Sequence, residues 1–139
     1  MTAIHERGLL DTSSVIALQQ LADPDVIPAQ PEISTITLAE LSVGPLIAAT
    51  RKEQAIRQAH LQRAEADFEP LPFDENAARA FGQVAASLRR AGRKSTARTF
   101  DAMIAAVAIS NALPLYTCNP GDFRGIDSLT VVTVPSPDA

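Results

Sequence analysis

Five polar residues border apolar segments of the chain, and four of them are acidic. Asp11 ends the segment Gly8–Leu10, Asp101 begins an alanine-rich segment, and the others are Glu40, Asn119 and Asp122. Apolar neighbours draw an acid toward the core, where unpaired carboxylates repel one another and lose hydration. No lysine or histidine lies near them in sequence as a counter-ion. A hard divalent cation such as Mg²⁺ or Mn²⁺ would relieve this conflict and could activate a water to attack a phosphodiester.

Each acid also has a purely structural explanation. Asp11 could cap the helix that begins after it, and Glu40 could complete a capping box with Thr37. Asp101 could stabilise a helix N-terminus through the helix dipole, and Asp122 is a common turn residue. Taken singly, none of these acids establishes a site, so their predicted positions in the fold carry the argument.

Short apolar strands alternate with helices along the chain. The predicted strands span 8–11, 33–36, 113–118 and 129–134, with a short edge strand or extended link at 68–73. The predicted helices start at Thr12, at the cap Thr37, at Arg51 (to Asp67), at the cap Asp74 (to Gly92) and at Phe100 (to Asn111). This alternation predicts an α/β fold with a short central parallel sheet covered on both faces, in three α/β/α layers. Ligands of such sheets bind beyond the carboxyl ends of the strands, where Asp11, Asn119 and Asp122 are expected.

Length and composition predict one globular domain over residues 1–134, followed by a loose, proline-rich tail at 135–139. The single cysteine, Cys118, excludes an internal disulfide and a zinc site with two thiolates. No apolar run is long enough to cross a membrane, and the N-terminus lacks the apolar segment of a signal peptide. We therefore expect a protein of the cytoplasm without a membrane partner.

One segment is strongly basic although the net charge is −4. Five cations and no acid lie within ten residues: Arg89, Arg90, Arg93, Lys94 and Arg98. One interpretation is a solvated helix end and loop. The alternative is an edge that contacts nucleic-acid phosphates beside the acidic site, with Arg93, Lys94 and Arg98 as the substrate-binding residues.

Three motifs, in order along most of the chain, resemble those of PIN domains, and of VapC-type toxins in particular. LLDTSSVIAL resembles the opening strand and helix, and TLAELSVG resembles the second acidic motif. FDAMIAAVAISNALPLYTCNPGDF resembles the third block. The resemblance implies a PIN-like fold, Mg²⁺- or Mn²⁺-dependent RNA cleavage, inhibition by a small cognate antitoxin, and a homodimer.

The resemblance also suggests roles for individual residues. It implies that Asp11 and Asp101 hold the metal and that Glu40 supports it or its waters. The fourth acidic role falls to Asn119 or Asp122, which would hold or orient the attacking water. Thr12 and Thr117 would support the ligand carboxylates from behind. Cys118 departs from the arginine common at this position in the family.

Other functions fit the sequence less well. A receiver domain would need a second acid beside Asp11 and a lysine late in the chain, yet no lysine follows Lys94. A phosphatase with an Asp-x-Asp pair fails because Thr12 and Ser13 follow Asp11. Asn119 and Cys118 leave one alternative open, a catalytically inactive PIN-like module that binds RNA or protein. The sequence identifies neither the RNA nor the number of metal ions.

Overall fold

The computed structural model describes residues 5–94 and 98–137. Four strands are present in this part of the chain: β1 (Arg7–Leu10), β2 (Gln30–Glu32), β3 (Leu115–Thr117) and β4 (Val131–Thr133). Five α-helices accompany them: α1 (Thr12–Ala17), α2 (Thr35–Ile47), α3 (Arg51–Asp67), α4 (Glu75–Arg90) and α5 (Thr99–Ser110). A 3₁₀ turn, Pro120–Phe123, follows β3.

The four strands form one parallel sheet in the order β2-β1-β3-β4. The chain leaves β1 toward β2 on one side and later returns to β3 on the other. The order therefore reverses between β1 and β3, and their carboxyl ends border the crevice where parallel sheets bind ligands. Leu9 pairs with Leu115 and Leu10 with Tyr116, which sets Asp11 and Thr117 side by side.

Apolar side chains cover both faces of this sheet. Leu9 and Leu115 belong to a core cluster with buried residues of α4 and α5, including Leu88 and Ile104. On the other face, Leu10 and Tyr116 pack with residues of α1, α2 and α3, namely Val15, Leu41 and Ala64. Successive strand residues point to opposite faces, so this short apolar sheet separates two helical layers. The predicted three-layer α/β/α fold is confirmed.

The second strand and the cap of the second helix differ from the prediction. The strand is Gln30–Glu32 rather than 33–36, and it includes Pro31 because β2 is an edge strand that tolerates a missing donor. Helix α2 is capped by Ser34, whose extended backbone lets its hydroxyl accept a hydrogen bond from the Thr37 amide. Thr37 therefore lies inside the helix, and its predicted capping box with Glu40 is wrong.

The bounds of the remaining elements agree with the predicted bounds within a few residues. Asp74 caps α4 as predicted, and Gly92, which follows α4, has a positive φ of 75°. The link at 68–73 is extended, and Leu71 forms a single parallel bridge with Ser34. The single domain over residues 1–134 and the loose tail from 135 stay predictions, since 1–4 and 138–139 lie outside the described residues. No helix in 5–94 or 98–137 is long and apolar enough to cross a membrane.

Candidate active site

Asp11 lies at the carboxyl end of β1, next to the end of β3. Its amide donates to the carbonyl of Tyr116 at 3.0 Å, and its side chain is only 5% exposed. The carboxylate accepts from the Ser14 amide at 2.9 Å and from the Ser13 hydroxyl at 2.7 Å, both through Oδ1. Asp11 thus caps α1 and also lies at the crevice, so its structural explanation as a helix cap does not exclude a role in the site.

Thr117 completes the support of Asp11 from β3. Its fully buried hydroxyl donates to Asp11 Oδ2 at 2.6 Å and accepts from the Asn119 amide at 2.9 Å. A carboxylate oxygen has two acceptor sites, so Oδ2 keeps one that points away from Thr117. The threonine predicted to support the carboxylate from behind therefore contacts it directly.

Thr117→Val should lower the free energy of unfolding by about 1–3 kcal/mol, because it leaves a buried oxygen of the Asp11 carboxylate and the partly buried amide of Asn119 without their partner. Urea denaturation would measure this change. The matched control is Thr133→Val, which makes the same change at an exposed position of β4 and should stay within about 0.5 kcal/mol of the unmodified chain. Equal stability of both variants would contradict the assigned hydrogen bonds.

Glu40 reaches the site from α2, in the second turn of the helix rather than in the predicted first turn. Its Oε1 accepts from the hydroxyl of Thr12 at 2.6 Å, and that hydroxyl also contacts Thr37 Oγ1 at 3.2 Å. Thr12 follows the cap Asp11, so this bond ties the first turn of α1 to α2. The side chain of Thr12 therefore orients Glu40, not Asp11.

Asp101 lies in the first turn of α5 and is partly buried. Burial and, in decreasing order, the charges of Asp122, Glu40 and Asp11 together raise the pKa of its carboxyl from 3.8 to about 6. The charge of Arg98 acts in the opposite direction. Three acids that are 21 to 90 positions away in sequence thus act on Asp101 at the edge of the sheet. We call Asp11, Glu40, Asp101 and Asp122 the acidic cluster.

The two candidates for the fourth acidic role lie in different places. Asp122 belongs to the 3₁₀ turn and is the strongest charged neighbour of Asp101. Its Oδ1 accepts from Arg98 Nη1 at 2.8 Å, so an arginine provides the internal counter-ion for which the sequence offered no lysine or histidine. Asn119 is exposed and lines a cleft of about 420 Å³ with Ser13, Ile16 and Cys118. Asp122, rather than Asn119, therefore carries charge into the cluster.

The cluster fits a magnesium-like ion in its donor chemistry. Its carboxylate oxygens are the hard ligands that Mg²⁺ and Mn²⁺ prefer, and burial together with repulsion from the other three acids raises the pKa of Asp101. Within residues 5–94 and 98–137, no group of three or more Asp, Glu, His or Cys side chains is arranged to hold an ion unaided. Such ions commonly use one or two carboxylates and complete their shell with water and phosphate oxygens.

Arg98 and Arg93 connect the basic segment to the turn that carries Asp122, and its cations differ in how far they are available to a phosphate. Lys94 is exposed, whereas Arg98 is paired with Asp122. Arg93 donates to the backbone carbonyls of Gly121 and Arg124. Residues 95–97 of the segment lie outside the described part of the chain. The sequence analysis did not single out Ser13. Its hydroxyl donates a hydrogen bond to Asp11 and accepts one from the Cys118 amide at 3.2 Å. Its place two residues after an acid at the end of a strand could have identified it.

Comparison with known proteins agrees with this architecture. Ribonuclease VapC5 from Mycobacterium tuberculosis is 40% identical over 136 residues, which cover 96% of this chain and 98% of the relative. Ribonuclease VapC1 from Rickettsia felis is 30% identical over 133 residues, with 94% and 98% coverage. The crystal structure of VapBC-5, a toxin–antitoxin system of M. tuberculosis, matches with a TM-score of 0.80 at 40% identity and covers 93% of this chain and 99% of that one.

The matching region contains every member of the acidic cluster. Residues 9–129 match the family profile of the PIN domain, and they run from β1 through the 3₁₀ turn that carries Asp122. The family suggested by the three sequence motifs is thereby confirmed over most of the chain, and the chain belongs to the PIN-domain family.

Proposed function

We propose that this protein is a metal-dependent endoribonuclease that hydrolyses RNA phosphodiester bonds. The observation that carries the proposal is the convergence of Asp11, Glu40, Asp101 and Asp122 at the crevice between β1 and β3, expressed in the raised pKa of Asp101. Carboxylates that lie together without enough neighbouring cations can bind a divalent ion, and the ion can in turn bind a phosphate oxygen. The relatives with 40% and 30% identity are ribonucleases, which favours RNA as the substrate.

The residues of the cluster have separate tasks in this proposal. Asp11, held by three donors, and Asp101 would bind Mg²⁺ or Mn²⁺. Glu40, oriented by Thr12, would accept hydrogen bonds from water in the crevice. The bound ion would lower the pKa of a water and stabilise negative charge on the phosphate.

Asp122 is the better candidate to orient the attacking water, because its carboxylate lies in the cluster and Asn119 lies at an exposed edge. Only one of its oxygens accepts from Arg98, so the other stays available to a water. Lys94, an exposed cation that directly follows Arg93, would contact the RNA backbone, and Arg98 could reach a phosphate only by loosening its bond to Asp122.

Metal dependence can be tested by incubating the purified protein and a structured RNA with Mn²⁺ or with EDTA. We expect cleavage with Mn²⁺, no cleavage with EDTA, and recovery when Mn²⁺ is added in excess of EDTA. An Asp67→Asn variant, changed at an exposed acid outside the cluster, should cleave normally and reveal differences between preparations. Cleavage that persists in EDTA would refute the metal-dependent mechanism. Absence of cleavage under all conditions, with the protein free of bound inhibitor, would favour an inactive binding module.

We further propose that a small antitoxin binds and inhibits the protein, and that it acts in the cytoplasm as a homodimer. The similar VapBC-5 structure is that of a toxin–antitoxin system. Helices α2 and α3 expose four apolar side chains, Val43, Leu46, Ile47 and Ile56, with Leu46 83% exposed. Clustered apolar side chains on a surface are typical of a protein interface. Co-expression with the antitoxin of a relative would test for a complex, and size-exclusion chromatography with light scattering would give the oligomeric state.

A further inference from the structure

The guanidinium group of Arg93 bridges the end of α4 to the turn that carries Asp122. Its Nη1 donates to the carbonyl of Gly121 at 3.0 Å and to the carbonyl of Arg124 at 2.7 Å. These carbonyls lie on either side of Asp122 and Phe123 in the chain. A single guanidinium therefore spans the segment that presents the acid.

The turn needs such external support. It is a 3₁₀ turn of only four residues with few backbone hydrogen bonds of its own. The amide of Asp122 donates to the carbonyl of Asn119 at 3.0 Å, and the amide of Arg124 donates to the carbonyl of Gly121 at 3.3 Å. Short 3₁₀ segments have poor hydrogen-bond geometry and are marginal alone. Phe123 anchors one side of the turn in the core, where it is 2% exposed, but Asp122 faces the crevice. Its position therefore depends on the backbone contacts around it.

Neighbouring contacts hold Arg93 close to this turn. Gly125 has a φ of +89°, and a Cβ there would lie 2.9 Å from the Cβ of Ala91, so only glycine permits this approach. The Asp127 amide donates to the Ser87 hydroxyl at 3.3 Å, and Arg90 pairs with the Asp127 carboxylate at 2.8 Å. The end of α4 and residues 120–127 thus form a joined unit with the guanidinium of Arg93 at its active-site side.

We propose that Arg93 is a positioning residue that holds the 3₁₀ turn so that Asp122 stays in the acidic cluster. Its two carbonyl bonds make it a part of the scaffold, in place of the phosphate contact expected from sequence. The catalytic consequence rests on the proposed nuclease function, because Asp122 must act in cleavage for its position to matter. The clamp itself requires neither RNA nor metal.

Amide hydrogen exchange tests the clamp directly in the full chain without RNA or metal. Arg93→Ala should speed exchange at the amides of Asp122 and Arg124 by about tenfold, with little change in β1 or β3. Arg93→Lys, which keeps the charge and one donor direction, should give a smaller increase. The matched control is Arg124→Ala, which removes an exposed cation from the same corner but keeps the carbonyl that Arg93 binds. Unchanged exchange in Arg93→Ala would overturn the proposal.

Cleavage kinetics distinguish positioning from substrate binding. As a positioning residue, Arg93→Ala should lower kcat by about 10- to 100-fold and weaken Mn²⁺ binding measured by calorimetry, with KM and its salt dependence nearly unchanged. Gly125→Ala should act in the same direction without any change in charge. A raised KM, together with a decrease of about 0.7 in the slope of log KM against log salt concentration, would instead identify a phosphate contact and overturn the proposal. If the unmodified protein cuts no RNA under any condition, the nuclease function fails, and the exchange result alone decides the clamp.

Discussion

Asp101→Asn should reduce RNA cleavage at pH 7 by about 1000-fold or more while making the metal-free protein more stable. The activity falls because a neutral amide cannot replace a carboxylate that binds the ion at the centre of the proposed reaction. The stability rises because the charged form of Asp101 is unfavourable in the folded chain, where burial and three neighbouring acids raise its pKa to about 6. Function and stability thus oppose each other at this residue.

The sign of the pH dependence follows from that raised pKa. The folded chain keeps the Asp101 proton up to a higher pH than the unfolded chain, whose aspartates have a pKa near 3.8. Between about pH 4 and 6 the unfolded state therefore loses this proton first, and the free energy of unfolding falls as pH rises. The full shift would correspond to about 3 kcal/mol, and we expect about 1 kcal/mol because the carboxyl is only partly buried.

Urea denaturation in EDTA at pH 3.5 and pH 7 would measure this effect. The free energy of unfolding of Asp101→Asn should exceed that of the unmodified chain by about 1 kcal/mol at pH 7 and nearly match it at pH 3.5, where the aspartate is mostly protonated in both states. Asp67→Asn is the control, since this exposed acid lies outside the cluster and its replacement should change neither activity nor stability appreciably. An Asp101→Asn variant that is less stable at pH 7, or that cleaves RNA at the normal rate, would refute the role assigned to Asp101.

Asp11→Asn should also abolish cleavage, but it should destabilise the protein, by about 1–2 kcal/mol. Asp11 is 5% exposed, and its carboxylate accepts three hydrogen bonds, from Ser13, Ser14 and Thr117. An asparagine oxygen can still cap α1, but its amide group would face Thr117, whose hydroxyl now donates to Asp11 and accepts from Asn119. One charge-assisted bond in a buried place is lost as a result.

The control for this change is Asp74→Asn, at the exposed cap of α4. Its side chain accepts from the Ala77 amide at 3.0 Å, and an asparagine should preserve that bond at little cost. Urea denaturation at pH 7, followed by circular dichroism, would give the free energy of unfolding of both variants and of the unmodified chain. An RNA cleavage assay would give their activities. Should Asp11→Asn gain stability as Asp101→Asn does, repulsion within the cluster would outweigh the hydrogen bonds of Asp11.

Much of the site was predictable because its acids follow local rules. An acid at the end of an apolar strand, as Asp11 is, must lie at the carboxyl edge of a parallel sheet, and the acid in the first turn of the alanine-rich helix α5 is partly buried with it. The predicted α/β fold and the family are confirmed, and the predicted metal, RNA target and partner remain proposals. The second strand and the cap of α2 were misplaced because Ile33, Thr35 and Ile36 are β-branched residues typical of strands, whereas α2 begins at Thr35 in the structure.

The order of strands and helices, the apolar faces that build three layers, and the acids that border those apolar segments could all be predicted without coordinates. These features depend on periodicity and on residue type, which are local properties of the chain. Three contacts could not be predicted in this way: Asp122 rather than Asn119 joins Asp101, Thr12 orients Glu40, and Arg93 binds backbone carbonyls. These contacts join residues that are 21 to 31 positions apart in sequence, and they depend on side-chain positions to within a few tenths of an ångström. Sequence spacing does not encode those directions, because they emerge only when the packed layers place one element against another.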